Sequence, residues 1–347
     1  MEVGSLAKHR AYLGKPCKKG SVVPFPCDPA KIYRMQVEGL VKRLKAIHCK
    51  DVVVGLSGGL DSTLALLVCV GAFEKLRLDR QGIHVYTMPG FGTTKRTKGN
   101  AEQLCEGLGL EVETISIVKS VRQHLKDIGH DGKTPNVTYE NAQARMRTMI
   151  LMDKANMTNG IVIGTGDLSE IALGWCTYNG DHMSMFGVNS DVPKTVVRKV
   201  CRWWAERQLE KSVGVGESGG KKAAEAILDI IATPVSPELV KGQITEDKIG
   251  PYELHDFFLW NFIVNEMGSK DLQRAAEKYF IKEKNGPSDL QLQLSPSTIF
   301  KTLKIFMRRF FTQAFKRNCA PDGIKVFPFE LSLHDWWIPS DLGIVKI

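Results

Sequence analysis

The segment Ser57-Gly58-Gly59-Leu60-Asp61-Ser62 stands between two apolar runs, Val52–Leu56 and Leu64–Val70. Hydroxyls, glycines and a carboxylate are thus concentrated where a strand hands over to a helix. A glycine-rich turn in that position directs backbone N–H groups at an anion on the positive end of the helix dipole, which is a phosphate site in outline. Two familiar nucleotide loops are excluded by spacing. No lysine follows the second glycine as GxxxxGK[ST] requires, and GxGxxG is not matched either. The plainer alternative is a glycine turn with a Ser or Asp helix cap and no ligand.

The elements that would position this turn are legible in the apolar periodicity. Ala30–Ile47 carries Ile32, Met35, Val37, Leu40, Val41, Leu44 and Ile47 close to helical spacing. Strand-like runs at Val52–Leu56, Ile83–Met88, Val112–Ile117 and Ile161–Ile163 alternate with helical patterns, clearest at Asn100–Gly107 and Asn141–Asn156. This βαβα order predicts an α/β fold, a Rossmann-like parallel sheet with helices on both faces. Further on, Pro193–Leu209 reads as a helix capped by Ser190 or Asp191 with Pro193 in its first turn. Ser212–Lys222 is glycine-rich and predicts a mobile loop. Tyr252–Met267 and Ile299–Phe315 are strongly apolar helices that suit either a core or an oligomer interface. The expected organisation is a leader over 1–29 and one domain over 30–347, with mobile loops within 212–248 and a helical C-terminal part over 249–347.

The chain has 347 residues, 43% of them hydrophobic, which suffices for a full core. Its 47 Lys and Arg against 38 Asp and Glu give a net charge of +9, which favours anionic partners. The charges are dispersed, so nucleic acid is not expected as a partner, and Arg198-Lys199 reads as the coat of a helix. The eight cysteines fall at no metal-ligand spacing and predict reduced thiols in a cytoplasmic protein. No membrane association is expected, since no apolar run approaches the roughly 20 residues of a membrane span.

The turn matches SGGxDS and so resembles the signature of the ATP pyrophosphatases, which cleave ATP between its α- and β-phosphates. Val162–Ala205 (VIGTGDLSEIALGWCTYNGDHMSMFGVNSDVPKTVVRKVCRWWA) and Asn136–Arg147 (NVTYENAQARMR) resemble NAD synthetase, in particular the synthetase part of the long glutamine-dependent enzymes. IGPYELHDFFLWNF and FKRNCAPDGIKV are similar to that family's C-terminal blocks. The resemblance runs from about Pro24 to Asp341 and implies an adenine nucleotide alpha hydrolase-like fold with a C-terminal helical region.

It also implies a carbon–nitrogen ligase. The nicotinate carboxylate of deamido-NAD would attack the α-phosphate of ATP, expelling pyrophosphate, and ammonia would then displace AMP to give NAD. On this resemblance Asp61 and Glu170 would hold Mg²⁺ as hard oxygen ligands. Gly55, Leu56, Ser57, Gly58, Gly59, Leu60, Asp61 and Ser62 would bind the ATP phosphates, joined by Thr165, Ser236 and the neighbouring Thr233. Lys194 would act as a mobile charge on phosphate. Asn141 and Arg145, four apart on one helix, would face deamido-NAD together with Glu170, Trp175, Cys176, Thr177, Tyr178 and Lys316, while Arg147 reads as a bystander. Relatives imply a homodimer or larger homo-oligomer.

Several positions depart from the family pattern. Lys95 replaces a carboxylate, and the tail has His334 and Trp337 near the places of two arginines. Only Met1–Cys49 precedes the strand that feeds the loop, too little for the nitrilase-like glutaminase of the long enzymes. The expectation is therefore that ammonia is used directly, that a glutaminase partner supplies it, or that the sequence is a piece of a longer protein lacking its N-terminal glutaminase domain. Other readings are an ATP pyrophosphatase acting on a purine nucleotide or tRNA, and a weakened nucleotide-binding subunit.

Overall fold

A computed structural model describes residues 25–212, 219–233, 239, 244–282, 294–329 and 331. Helix α1 (Pro29–Ala46) is capped by Asp28, whose side chain accepts from Lys31 N at 3.1 Å. It buries Ile32, Val37, Leu40, Val41 and Leu44 of the expected apolar stripe, leaving Met35 half-buried and Ile47 exposed, and with them it buries a glutamine, Gln36. Strand β1 (Val52–Gly55) then leads through the glycine turn into α2 (Leu60–Leu76). Helix α2 is buried almost all round because α1, α7 (Lys194–Lys211) and β1 enclose it.

The remaining strands are β2 (Ile83–Thr87), β3 (Val112–Thr114), β4 (Ile161–Gly164) and β5 (Phe186–Gly187), and the sheet order is β3-β2-β1-β4-β5. Every pairing is parallel; Val52 of β1 faces Ile83 on one side and Ile161 on the other. The chain moves outward from β1 in one direction and returns to lay β4 on its opposite edge. The carboxyl ends of β1 and β4 therefore flank a topological switch point, where open α/β sheets form their ligand crevice. Helices α3 (Lys95–Leu108), α4 (Val118–Asp127) and α5 (Val137–Thr158) supply the connections. β5 was not legible in the sequence, since two residues show no alternation.

One region differs from expectation. Within the span expected to hold mobile loops, Gly219–Ile231 forms a helix, α8. Ala223, Ala224, Ala226, Ile227 and Ile230 give it a buried face, and glycines let it lie against α3: a Cβ on Gly107 would meet Ala223 N at 2.4 Å. A short helix, α9 (Thr245–Ile249), follows.

The apolar helices expected to serve either as core or as interface are α10 (Tyr252–Ile263) and α12 (Pro296–Thr312). Both are interior: Phe257, Phe258, Phe306 and Phe310 are fully buried in the main core. Helix α11 (Ser269–Ala276) and α13 (Ala314–Arg317) complete the described C-terminal part. The altered tail around His334 and Trp337 lies outside the described residues, and no described helix is long and apolar enough to cross a membrane.

Candidate active site

The turn after β1 is built for close backbone approach. Gly58 has φ +79°, and a Cβ there would stand 2.3 Å from Thr97 O at the first turn of α3, so only glycine fits. Gly59 is the N-cap of α2 and offers no side chain of its own. Ser62 is buried and spends its hydroxyl internally, donating to Gly59 O at 3.0 Å and accepting from Ser57 N at 3.3 Å. Ser57 is exposed and accepts from Gly59 N at 3.2 Å, which leaves the loop's outer face to a ligand. The side chain of Leu56 goes into the core, so only its backbone lines the cleft.

Across the switch point, β4 leads through Thr165 and Gly166 into α6 (Leu168–Leu173). Asp167 caps α6 by accepting from Glu170 N at 2.8 Å, and the D-x-x-E spacing sets both carboxylates on one side. Helix α7 brings in Lys194, which is fully buried and not the mobile charge expected. Its Nζ lies 2.5 Å from Asp61 Oδ2, 3.0 Å from Asp167 Oδ2 and 3.0 Å from Glu170 Oε1, and 5.3 Å above the Tyr252 ring. The N-terminus of α7 is fastened by Ser169, which accepts from Lys194 N, and Asp256, which accepts from Thr195 N. Asp191 is not the cap; its carboxylate accepts from Val326 N and Phe327 N, each at 2.6 Å.

One lysine faces three carboxylates, so full ionisation would bury net negative charge. Burial pushes Glu170 up to about 7, against the pull of Lys194. Asp167 is likewise raised, by burial first, while Lys194 stays charged because the carboxylates outweigh its own desolvation. Carboxylate oxygens of Asp61, Asp167 and Glu170 lie within 4.8 Å of one another, and Asp61 Oδ1 is buried with no hydrogen-bond partner among the described residues. Hard oxygen donors so gathered could hold a small divalent cation.

Asp61 and Glu170 line a cleft of about 960 Å³, while Asp167 and Lys194 are buried behind them. Asn141 lines it and accepts from Thr177 Oγ1 at 2.9 Å; Trp175 lines it with Arg309 4.8 Å over its ring. Lys316 lines it too and donates to the carbonyls of Gly174 and Cys176 at 2.9 and 2.6 Å, which orders the Trp175–Cys176 wall. Thr165 and Thr233 are part of the lining, and Ser236 lies outside the described residues.

Two expected residues sit elsewhere. Arg145 is exposed and donates to Tyr178 O at 3.2 Å, and Tyr178 is itself exposed, stacked on His182, and absent from the cleft wall. Arg147, expected to be a bystander, lines the cleft. At 100° per residue the cleft stripe runs through Val137, Glu140, Asn141, Ala144, Thr148 and Leu151. Asn141 marks one edge, so a residue four further on rotates off the stripe, whereas Arg147 follows Ala144 by three and stays near it.

The family model described as NAD synthase matches residues 32–284. The chain belongs to this family. It is similar to the glutamine-dependent NAD(+) synthetase of Mycobacterium leprae, 40% identical over 92% of this chain and 50% of that protein. To the enzyme of that description from Thermotoga maritima it is 30% identical, over 72% of this chain and 41% of the relative. The chain thus spans about half the length of the curated relatives it matches. Among solved structures, a glutamine-dependent NAD(+) synthetase from Cytophaga hutchinsonii aligns with TM-score 0.67 at 16% identity, over 90% of this chain and 54% of that one. NMN synthetase from Francisella tularensis aligns with TM-score 0.57 at 24% identity, over 78% and 99%. Those two likenesses are of fold.

Within the NAD synthase match lie the glycine loop, the carboxylates and α7; Arg309 and Lys316 come from beyond it. Four groups of the site escaped sequence reasoning. Asp167 had a signal, the D-x-x-E capping spacing. Arg198 follows Lys194 by one helical turn, faces the cleft and is held by buried Glu253 at 2.9 Å. Arg309 had no local signal. Asp181 accepts from Thr177 N at 2.7 Å and lines both the cleft and a second, narrow cavity of about 40 Å³ that also touches Glu170, Cys176, Ser184 and Lys316.

Proposed function

We propose that this chain catalyses the ATP-dependent amidation of deamido-NAD to NAD, with ammonia as nucleophile and AMP and pyrophosphate as by-products. The observation that carries the reading is the convergence of a glycine loop and the Asp61 and Glu170 carboxylates on one cleft of about 960 Å³, with buried Asp167 clustered behind them. That cleft also presents the cations Lys98, Arg147, Arg198, Lys248, Arg309 and Lys316, a charge pattern suited to two polyanionic nucleotides.

In the first step a nicotinate carboxylate oxygen bonds to the α-phosphorus, and the bond to the oxygen bridging to the β-phosphate breaks. The loop amides and Ser57 Oγ are placed to hold the departing pyrophosphate. Mg²⁺ fits Asp61, Asp167 and Glu170, and when bound it supplies neutralisation of phosphate charge. Lys194 holds those three side chains in register. The wall formed by Asn141, Trp175, Cys176 and Thr177 orients the nicotinate end by an aromatic face and polar edges. In the second step ammonia bonds to the acyl carbon and AMP leaves. Ammonium must first lose a proton, and the Asp181 carboxylate, on both the narrow cavity and the cleft, is placed to accept it.

A homodimer is part of this reading. Helix α5 leaves Met149 and Met157 exposed at 53% and 78%, turned away from its cleft stripe, where a second copy would cover them. A glutaminase unit, in the same or another chain, would supply ammonia in the cytoplasm. The test measures pyrophosphate and NAD from deamido-NAD, MgATP and ammonium chloride, with nicotinate mononucleotide, xanthylate and tRNA as alternative acceptors. NAD and pyrophosphate in equal amounts are expected. Release with another acceptor alone, or tight ATP binding without turnover, would sink the proposal.

A further inference from the structure

Asn189 lies between β5 and α7, fully buried, and touches neither cavity. Its Nδ2 donates to Asp61 O at 2.9 Å and to Thr165 O at 3.1 Å. The first carbonyl is in the opening turn of α2, on the residue that carries one clustered carboxylate. The second is in the loop that leads within two residues to Asp167 and α6. A single amide therefore spans the switch point and joins the backbones of both carboxylate-bearing segments.

The orientation of that amide is set from outside the cleft. Asn189 Oδ1 accepts from Gln36 Nε2 at 3.0 Å, and the same nitrogen donates to Val188 O at 2.9 Å. Gln36 is fully buried on α1, a helix that contributes no residue to the cleft wall. Its Oε1 has no hydrogen-bond partner among the described residues, so its burial is unfavourable unless the other end of the amide matters. With Nε2 facing it, Asn189 must present oxygen to α1 and nitrogen to the two carbonyls.

We propose that Asn189, oriented by Gln36, is a positioning residue that sets the separation of Asp61 from the Asp167–Glu170 segment and thereby the affinity of the carboxylate cluster for a divalent cation. Lys194 links the carboxylates themselves, but a side-chain link cannot stop the two backbone segments from sliding. A small cation demands near-octahedral geometry with ligands at about 2.0–2.1 Å, so a shift of a few tenths of an ångström between the segments lowers affinity. The inference rests on the metal–nucleotide reading of the site and is tested without turnover.

The experiment titrates Mn²⁺ into the full chain by calorimetry, with free Mn²⁺ followed by electron paramagnetic resonance. It uses wild type, Asn189→Ala, Gln36→Met and the double variant, and records thermal midpoints in parallel. Expected are a roughly tenfold or greater weakening of Mn²⁺ in Asn189→Ala, a smaller one in Gln36→Met, and no additional loss in the double variant, because Gln36 acts through Asn189. Lowered midpoints with unchanged Mn²⁺ affinity in folded variants would mean a merely structural role and overturn the proposal. If Asn189→Ala does not fold, Gln36→Met decides alone. Wild type that binds Mn²⁺ but forms no NAD would refute the proposed reaction and leave the Asn189 brace standing; variants that bind like wild type would do the reverse.

Discussion

Replacing Lys194 with methionine keeps the side chain's length and removes its charge. The change strips the only described cation from a cluster in which Nζ stands 2.5 to 3.0 Å from three carboxylates. Removing one partner of a buried ion pair costs about 3–5 kcal/mol, since the remaining charge is left uncompensated. Here the loss depends on pH. Glu170 is at about 7 with the lysine present, against an ordinary 4.5, and loses its largest counter-charge in the variant. Above pH 4.5 the folded variant therefore binds more protons than the unfolded chain, so its stability falls as pH rises. The deficit against wild type should be small near pH 5 and reach about 3–5 kcal/mol near pH 8. Urea denaturation at both values measures it, and Mn²⁺ at pH 8 should restore part of the loss. An equal deficit at both pH values would reduce the effect to packing. No deficit at all would mean that Lys194 is a free, mobile charge and refute the reasoning.

Gly58→Ala should abolish ATP binding and destabilise by about 2 kcal/mol or more, because a left-handed φ and the Thr97 carbonyl both oppose a Cβ; isothermal titration with ATP and a thermal melt check it. Arg147→Ala should raise the KM for deamido-NAD about tenfold or more, as expected for a lost charge-assisted contact, whereas Arg145→Ala should stay within about twofold; steady-state kinetics separate them. His255 is fully buried with its pKa lowered to about 4, by burial first, against an ordinary 6.5. Below 6.5 the unfolded chain binds the extra proton, so stability should fall by about 3 kcal/mol as pH drops from 6.5 to 4. His255→Leu should remove that portion of the acid loss in denaturation curves at pH 4.5 and 7.

Much of the site was legible because its chemistry is local. A glycine at φ +79° with Thr97 O where its Cβ would be, and an Asp in the next helical turn, leave a short, rigid pattern in the chain. The strands of the βαβα half were also readable, since sheet residues buried on both faces form continuous apolar runs. Arg145 and Arg147 show the limit of that reading. Both are plausible anion ligands, and the choice between them follows from how α5 rotates against the sheet, which no spacing within the helix reveals. Likewise the apolar excess of α10 and α12 said that both are buried, without saying whether by this chain or by a copy of it.

The linear order of residues determined the glycine turn, the parallel sheet and the family, because each is a short-range pattern of residue types. Contacts made across long stretches of chain were decided only by folding. Lys194 is 133 residues from Asp61, and Asn189 is 153 from Gln36, yet each pair shares a hydrogen bond. Burial then turned a lysine read as a mobile charge into a fixed centre for three carboxylates. It also gave a glutamine on an apolar helix a reason to be there. Both follow from removing polar groups from water, where each must find its partner wherever the fold has brought one.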